Sequence, residues 1–223
     1  MHHITDFEGR MTMNRAVFEK LNYGLYVLGV AQDGKDYGCL VNSFAQVTSG
    51  NPRKCTITVN KDNRTADAIL ASGTVAVTMV AEGADRDVLK TFGYKSGRVV
   101  DKFAGLQVSR DGNGNPYIPA LGAAWVSLKV VEKVVVGNFY LFICDAVEGE
   151  LVNDSRLLTL DEFLEKGKFA APPTASVVRS MRSDEGWVCP ICGYHYEKDE
   201  MPEGYICPLC RCPGEKFEKK KAE

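Results

Sequence analysis

From Gly24 onward the chain is a succession of short apolar runs rich in Val, Thr and aromatic residues, separated by turn formers. Such runs read as β-strands, because branched and aromatic side chains pack well on a pleated, half-buried surface. Six are expected: Leu25–Ala31, Tyr37–Asn42, Thr56–Asn60, Thr74–Val80, Trp125–Val136 and Phe139–Val147. They do not alternate regularly with helices, so a parallel βαβ sheet is disfavoured and a mainly β, antiparallel Greek-key barrel is expected. Two helices interrupt the strands. One follows Asn63-Arg-Thr65 and runs to Gly73, a residue suited to the left-handed position that ends a helix. The other starts at Thr159, with a capping box to Glu162, a staple between Leu158 and Phe163, and a stop at Gly167.

The pattern then stops. Ala170-Ala-Pro172-Pro173-Thr-Ala-Ser176 opens a stretch without apolar period that lasts to about Gly186, which reads as a tether. The expected organisation is a leader with little structure over 1–13, a barrel over 14–170, a linker over 171–185 and a small module over 186–223. That last segment is too short to stabilise itself by apolar burial and needs a staple. The net charge of −2 with 25% charged residues gives no polyanion-binding surface, which argues against nucleic acid as a partner. No run approaches the length of a membrane span and the N-terminus lacks the apolar centre of an export signal. A cytoplasmic protein with reduced thiols is expected.

The staple is visible in the cysteines. Cys189-Pro-Ile-Cys192 and Cys207-Pro-Leu-Cys210 are two C-x-x-C pairs with fourteen residues between them, a spacing that closes a tetrahedral thiolate cage around one metal ion. Four thiolates suit either zinc or iron. Cys39, Cys55, Cys144 and Cys212 remain outside the cage, the last of them two residues beyond a ligand. The barrel contains no histidine, since His2 and His3 lie in the leader and His195 in the module. Triads and histidine bases are therefore excluded there, and any redox chemistry in the barrel falls to an organic cofactor. Three polar clusters suit one. Asn42, Ser43, Gln46 and Thr48 close a strand with groups that can bond a heterocycle's edge. Asn60, Lys61, Asn63 and Thr65 lead from a strand into a helix N-terminus, and Ser96, Gly97, Arg98 and Lys102 form a cationic loop, both suited to phosphate. Asp111-Gly-Asn113-Gly-Asn115-Pro116 has the opening of a calcium loop, but Pro116 replaces the required Gly, so a hairpin turn is expected.

Together Val41-Asn42-Ser43-Phe-Ala-Gln46-Val-Thr48, Asn60-Lys61-Asp-Asn63-Arg-Thr65 and Gly93-Tyr-Lys-Ser96-Gly97-Arg98-Val-Val-Asp-Lys102 resemble the FMN-binding split barrels of the flavin reductase family, in its flavoredoxin-like branch, over Val17–Leu164. The resemblance implies a homodimer with FMN near the interface. It places Asn42, Ser43, Gln46 and Thr48 around the isoalloxazine, and Asn60, Lys61, Asn63, Thr65, Ser96, Gly97, Arg98 and Lys102 along the ribityl chain and phosphate. Phe139 stands where many of these reductases carry a histidine. Trp187, Tyr194 and Phe217 around the cysteines resemble the aromatic core of rubredoxin and of the module that ends rubrerythrins, which favours iron over zinc; Arg211 departs from the Gly usual at its position. The fusion resembles the high-molecular-weight rubredoxins of anaerobic bacteria. That implies electron flow from NADH or NADPH through FMN to an Fe(Cys)4 centre and on to a flavodiiron oxygen or nitric oxide reductase. A two-component flavin reductase with a structural zinc module, and a carrier reduced only by a partner protein, are the competing readings. The acidic run from Glu197 to Glu203 is a candidate docking edge for a basic partner surface.

Overall fold

The computed structural model describes residues 15–167, 174–175, 186–190, 195–196, 200–207 and 212–220. The leader and most of the linker lie outside these residues. Seven strands make one antiparallel sheet: β1 (Tyr26–Gln32), β2 (Lys35–Val41), β3 (Ala45–Gln46), β4 (Lys54–Asn60), β5 (Thr74–Val80), then β8 (Gly122–Val136) and β9 (Phe139–Leu151). A pair of two-residue strands, β6 (Ser109–Arg110) and β7 (Pro116–Tyr117), lies between β5 and β8 in the chain. All six expected strands are present.

The sheet order is β2-β1-β5-β8-β9-β4-β3, so β2 and β3 are its two edges. Yet β2 ends at Val41 and β3 begins at Ala45. A connection that short spans at most about 14 Å, at roughly 3.3–3.6 Å per residue. It cannot cross a flat seven-stranded sheet, so the sheet must curl until its edges meet. Ser43 fastens the seam: its hydroxyl donates to the Thr58 carbonyl at 2.8 Å and accepts from the Thr58 N–H at 3.2 Å. The Phe44 ring meets Tyr26 of β1 edge-on at 5.2 Å. The curled sheet encloses Leu28, Val30, Ile57, Val59, Val77, Leu128 and Phe142, all fully buried.

Three helices cover the barrel. α1 (Arg64–Ser72) ends as expected, with Gly73 at φ +70° and its N–H bonded to the Ile69 carbonyl at 2.9 Å. α3 (Leu160–Gly167) carries the expected capping box: Thr159 Oγ1 accepts from the Glu162 N–H and Glu162 Oε2 accepts from the Thr159 N–H. Leu158 and Phe163 are both fully buried, which completes the staple. α2 (Arg86–Tyr94) is absent from the sequence reading, which assigned Phe92 onward to a loop. Its signals were there: Asp85 accepts from the Asp87 and Val88 N–H groups as N-cap, and Leu89 and Phe92 bury one face. α2 and α3 supply much of a second apolar cluster with Leu25, Val80 and Phe103, and that cluster continues into Cys189, Cys207, Cys212 and Phe217 of the C-terminal module. The module itself is a small sheet of β10 (Gly186–Val188), β11 (His195–Tyr196) and β12 (Glu218–Lys220), with β10 in the middle.

The Asp111–Pro116 segment is the expected hairpin turn between β6 and β7. Asp111 Oδ1 accepts from the Asn113 and Asn115 N–H groups, and Oδ2 accepts from Ser127 Oγ at 2.6 Å and from Asn115 Nδ2 at 3.2 Å. With its oxygens bonded to the turn and to β8, the carboxylate holds the turn onto the barrel.

Two outcomes follow from this packing. A Cβ at Gly29 would lie 1.9 Å from the Pro116 carbonyl oxygen, which is backbone and cannot step aside cheaply. Gly29→Ala is expected to lower stability by about 3 kcal/mol, read as a reduced midpoint in urea unfolding. The Arg156 guanidinium, then the Thr159 groups, pull the Glu162 carboxyl down to about 2. Because its folded value lies below the unfolded one, its contribution is present above the unfolded range and fades as pH falls toward the folded value. The stability gap between the wild type and Glu162→Gln, measured by urea unfolding, is therefore expected to narrow between pH 5 and pH 3.

Candidate flavin cleft and metal centre

β4 passes into α1 through residues 61–63, and the loop after α2 returns beside that helix start. Thr65 is buried and hydrogen-bonds with the Cys39 thiol of β2. Beside them lies Lys102, only 8% exposed, its Nζ donating to the Phe92 carbonyl at 2.9 Å. Burial pulls its ammonium below the usual lysine range, an effect partly offset by Cys39. A desolvated cation of this kind is stabilised by any anion brought against it. Gly97 brings the loop close: a Cβ there would sit 3.7 Å from Arg64 Cβ and 3.8 Å from Lys102 Cε. Arg98 bonds Asp67 at 2.9 Å, and Arg64 approaches the same carboxylate at 3.6 Å while stacking over Tyr37 at 4.3 Å. Ser96 Oγ accepts from the Arg98 N–H at 3.3 Å and so shapes the turn. Arg64, Arg98 and Lys102 thus meet at the start of α1, and Arg64 is the member that the sequence reading passed over. It lies inside the quoted motif, but nothing in the sequence tells that it faces the loop.

The remaining candidates divide. Asn42 is buried where β2 ends, next to the seam. Ser43 is committed to Thr58, so its part is to position the seam. Gln46 and Thr48 are exposed on the edge strand and its turn, Gln46 donating to the Thr48 carbonyl and Thr48 Oγ1 accepting from the Lys54 N–H. Asn60 is buried and its Oδ1 accepts from the Asp62 N–H, which shapes the entry to α1. Asn63 occupies the N-cap position of α1 without a side-chain capping bond. Lys61 turns the other way: its Nζ donates to the Gly137 carbonyl at 2.7 Å and lies over the Tyr140 ring. Phe139 begins β9 opposite Asn60, at the same end of the barrel as Lys61.

In the C-terminal module Cys189 and Cys207, one from each C-x-x-C pair, are both buried. Cys212 is buried with them in the same apolar cluster, and its Sγ lies 3.5 Å from the Pro213 carbonyl. Burial first, and then Cys189, push the Cys212 thiol up. Cys192 and Cys210 lie outside the described residues. Among the described residues no three His, Cys, Asp or Glu close a metal cage. The donor chemistry fits a soft four-thiolate centre. Phe217 is buried and Trp187, partly buried, packs against the same apolar cluster, while Tyr194 lies outside the described residues. Tyr196 and Tyr205, with ring centroids 4.6 Å apart, and Tyr205 against Phe217 at 5.7 Å complete an aromatic core that the sequence reading had only in part.

A curled antiparallel barrel with a cationic cleft at a helix start, followed by a thiolate metal module, defines a flavoprotein and metal-module fusion. The chain belongs to the flavin reductase like domain family, which matches residues 18–164, and the rubrerythrin, rubredoxin-like domain matches residues 187–218. It is 30% identical to a ferric-chelate reductase (NAD(P)H) of Archaeoglobus fulgidus, over 74% of this chain and 97% of that one. It is 25% identical to the high molecular weight rubredoxin of Moorella thermoacetica, over 83% of each. In fold it resembles an NADH:FAD oxidoreductase of Streptomyces globisporus, with TM-score 0.58, 21% identity, and coverage of 65% of this chain and 85% of that one. The protein is an oxidoreductase, with FMN as the cofactor of its barrel and iron as that of its cysteine module. Among the described residues no helix is long and apolar enough to cross a membrane.

Removing a charge-assisted phosphate contact costs about 1.5–3 kcal/mol. Arg98→Ala and Lys102→Ala are each expected to weaken FMN at least tenfold while leaving riboflavin affinity unchanged, as measured by fluorescence titration. Equal losses for both ligands would move the phosphate site elsewhere.

Proposed function

We propose that this chain carries electrons from NADH or NADPH, through the FMN of the barrel and the iron of its Cys189, Cys192, Cys207 and Cys210 centre, to a flavodiiron oxygen or nitric oxide reductase. The observation that carries the reading is the union of a flavin reductase barrel and a rubredoxin-like module on one chain, and the Moorella high molecular weight rubredoxin is similar over 83% of each chain. Bound FMN accepts two electrons as a hydride and releases them singly, whereas a four-thiolate iron takes one at a time. The residues around the cleft have separable tasks. Lys102, Arg98 and Thr65 hold the phosphate end, and Asn42, at the seam, faces the ring end. Holding both centres on one chain makes their encounter intramolecular.

Assembly as a homodimer is part of the same reading. Past Lys129 strand β8 runs on beyond its partner β5, and Val131, Val134, Val135 and Val136 on it are all exposed. Four branched apolar side chains at a hairpin end are suited to burial against a second copy. The acidic edge retains exposed Glu200 and Glu203, while residues 197–199 lie outside the described residues.

One experiment tests the flow. The purified protein is mixed anaerobically with NADH or NADPH and followed at flavin and iron wavelengths. Both sets of bands are expected to bleach, and in Cys192→Ser only the flavin should bleach, because its iron centre is lost. A wild type that stays oxidised until a reductase is added would make the chain a pure carrier, an outcome that Phe139 in place of a histidine would explain. Zinc in the module would favour a flavin reductase with a structural knuckle.

A further inference from the structure

Lys61 and Lys133 meet at an aromatic ring that the phosphate cleft does not use. Their Nζ atoms lie 5.5 and 5.3 Å from the centroid of Tyr140. The strand register brings them there. Tyr140 of β9 is paired with Val59 of β4 on one side and with Val135 of β8 on the other. Lys61 follows Val59 by two residues, its N–H continuing the ladder to the Asn138 carbonyl at 3.0 Å, and Lys133 precedes Val135 by two. Both lysines therefore stand on the ring's own face of the sheet, as its diagonal neighbours. The ring itself is fixed, half-buried against the barrel core with Phe142 at 5.8 Å, while Lys133 and Val135 beside it are exposed. Val134 and Val136 project from the opposite face of β8, so their burial against a second copy leaves the ring accessible. Among the described residues neither lysine forms an ion pair. Lys61 donates to the Gly137 carbonyl, Asp62 accepts from Asn138 Nδ2 at 3.3 Å, and Glu132 lies on the opposite face from Lys133. An aromatic face holds an ammonium group through its quadrupole without cancelling its charge. Two cations gathered in this way repel each other, and an anion placed between them relieves the repulsion.

We propose, on the reading of this chain as one reduced by a nicotinamide dinucleotide, that Lys61, Lys133 and Tyr140 form a subsite for the 2′-phosphate of NADPH and make NADPH the preferred donor over NADH. The two dinucleotides differ in that phosphate alone, so a preference between them comes from the groups that meet it. A phosphate monoester carries close to two negative charges at neutral pH, which matches two ammonium groups. Lysine places a compact charge on a long, flexible stem. Each ammonium can therefore leave the ring for a phosphate oxygen, and the adenine can take the ring face so vacated. Lys61 precedes Arg64 of the phosphate cleft by three residues, and Phe139 is paired with Asn60 just before it. The subsite thus borders the proposed FMN site without competing for its phosphate: Arg98 and Lys102 serve one phosphate, Lys61 and Lys133 the other. This also gives Lys61 a task, although it turns away from the cluster in which its motif placed it.

The test uses the full-length protein loaded with FMN and iron, and reads binding as well as turnover. Calorimetry compares 2′,5′-ADP with 5′-AMP, a pair that differs in the 2′-phosphate and contains no reductant. The wild type is expected to bind 2′,5′-ADP about fivefold tighter or more, and the ratio should shrink as salt is raised. Lys133→Ala is expected to lower that ratio about fivefold, and to lower kcat/KM for NADPH relative to NADH by a similar factor. Lys133→Arg, which keeps the charge, should retain most of the preference. Lys61→Ala should act in the same direction, but its Nζ also holds the Gly137 carbonyl, so the exposed Lys133 decides the matter. Equal affinity of the wild type for the two nucleotides overturns the assignment, and so does an unchanged ratio in Lys133→Ala. Parallel losses for NADPH and NADH would move the lysines to the pyrophosphate and overturn it as well. A protein that prefers 2′,5′-ADP yet is bleached by neither dinucleotide supports the phosphate subsite and overturns direct nicotinamide oxidation instead.

Discussion

The barrel depends on the brevity of the connection between β2 and β3. Three residues, Asn42 to Phe44, join the two edges of a seven-stranded sheet. A longer loop would let the sheet lie open, with two unpaired edges exposed to other chains. Closure instead forces curvature on every strand, and close approaches appear where the curvature is tightest. Gly29 passes under the Pro116 carbonyl, and Gly38, paired with it in β1 and β2, leaves room for the Phe103 ring. The same three residues carry part of the candidate cleft. Asn42 lies at the seam because the seam is where β2 runs out, and Ser43 cannot do chemistry because it is fastening the seam. Fold closure and site construction thus share residues, so substitutions at 42–44 act on both.

The cationic cleft shows a second dependence, between burial and ligand affinity. Lys102 is taken out of water by α2 and its returning loop, and its described hydrogen bond is to one backbone carbonyl. A charge so placed is costly without an anion and profitable with one. Arg98 and Arg64 differ, because Asp67 already neutralises part of their charge. In the proposed phosphate site the buried lysine therefore carries the larger share of any preference for a phosphorylated ligand, and the two arginines a smaller one. An exposed lysine in the same loop would be screened by solvent and would discriminate little.

Much of this was legible in the sequence, and the failures have physical causes. Strands were readable because their apolar content is local, and Thr159 with Glu162 announced α3 through a spacing that has one efficient use. Gly73 was readable because a glycine after a helical run has few other reasons to be there. α2 was missed because its apolar face is short, with Val88, Leu89, Phe92 and Tyr94 among polar residues, and because the cationic loop beyond offered the stronger signal. Within the site the sequence identified clusters but could not orient side chains. Lys61 lies in the motif beside Asn63, yet it turns to the β8–β9 turn, because that turn offers a carbonyl and the Tyr140 ring. Arg64 was overlooked for the converse reason: a cation in the first turn of a helix is ordinarily solvated, and only the returning loop makes it part of a site.

The C-terminal module raises the question of what holds a few dozen residues together and in place. Its described core is aromatic and sulfur-rich, with the Tyr205 ring in contact with both Tyr196 and Phe217, and with Cys189, Cys207 and Cys212 buried. A core of that size buries too little area to offset the chain's ordering entropy, so metal binding must supply folding free energy. The apolar cluster that includes these groups also includes Leu89, Phe92 and Phe163 of the barrel. Part of the module's stability therefore comes from the covering helices, one of which, α2, also holds Lys102 through the Phe92 carbonyl. Ordering of the flavin cleft and seating of the module draw on one apolar layer, which gives the two redox units a physical reason to be joined on a single chain, beyond the convenience of a tether.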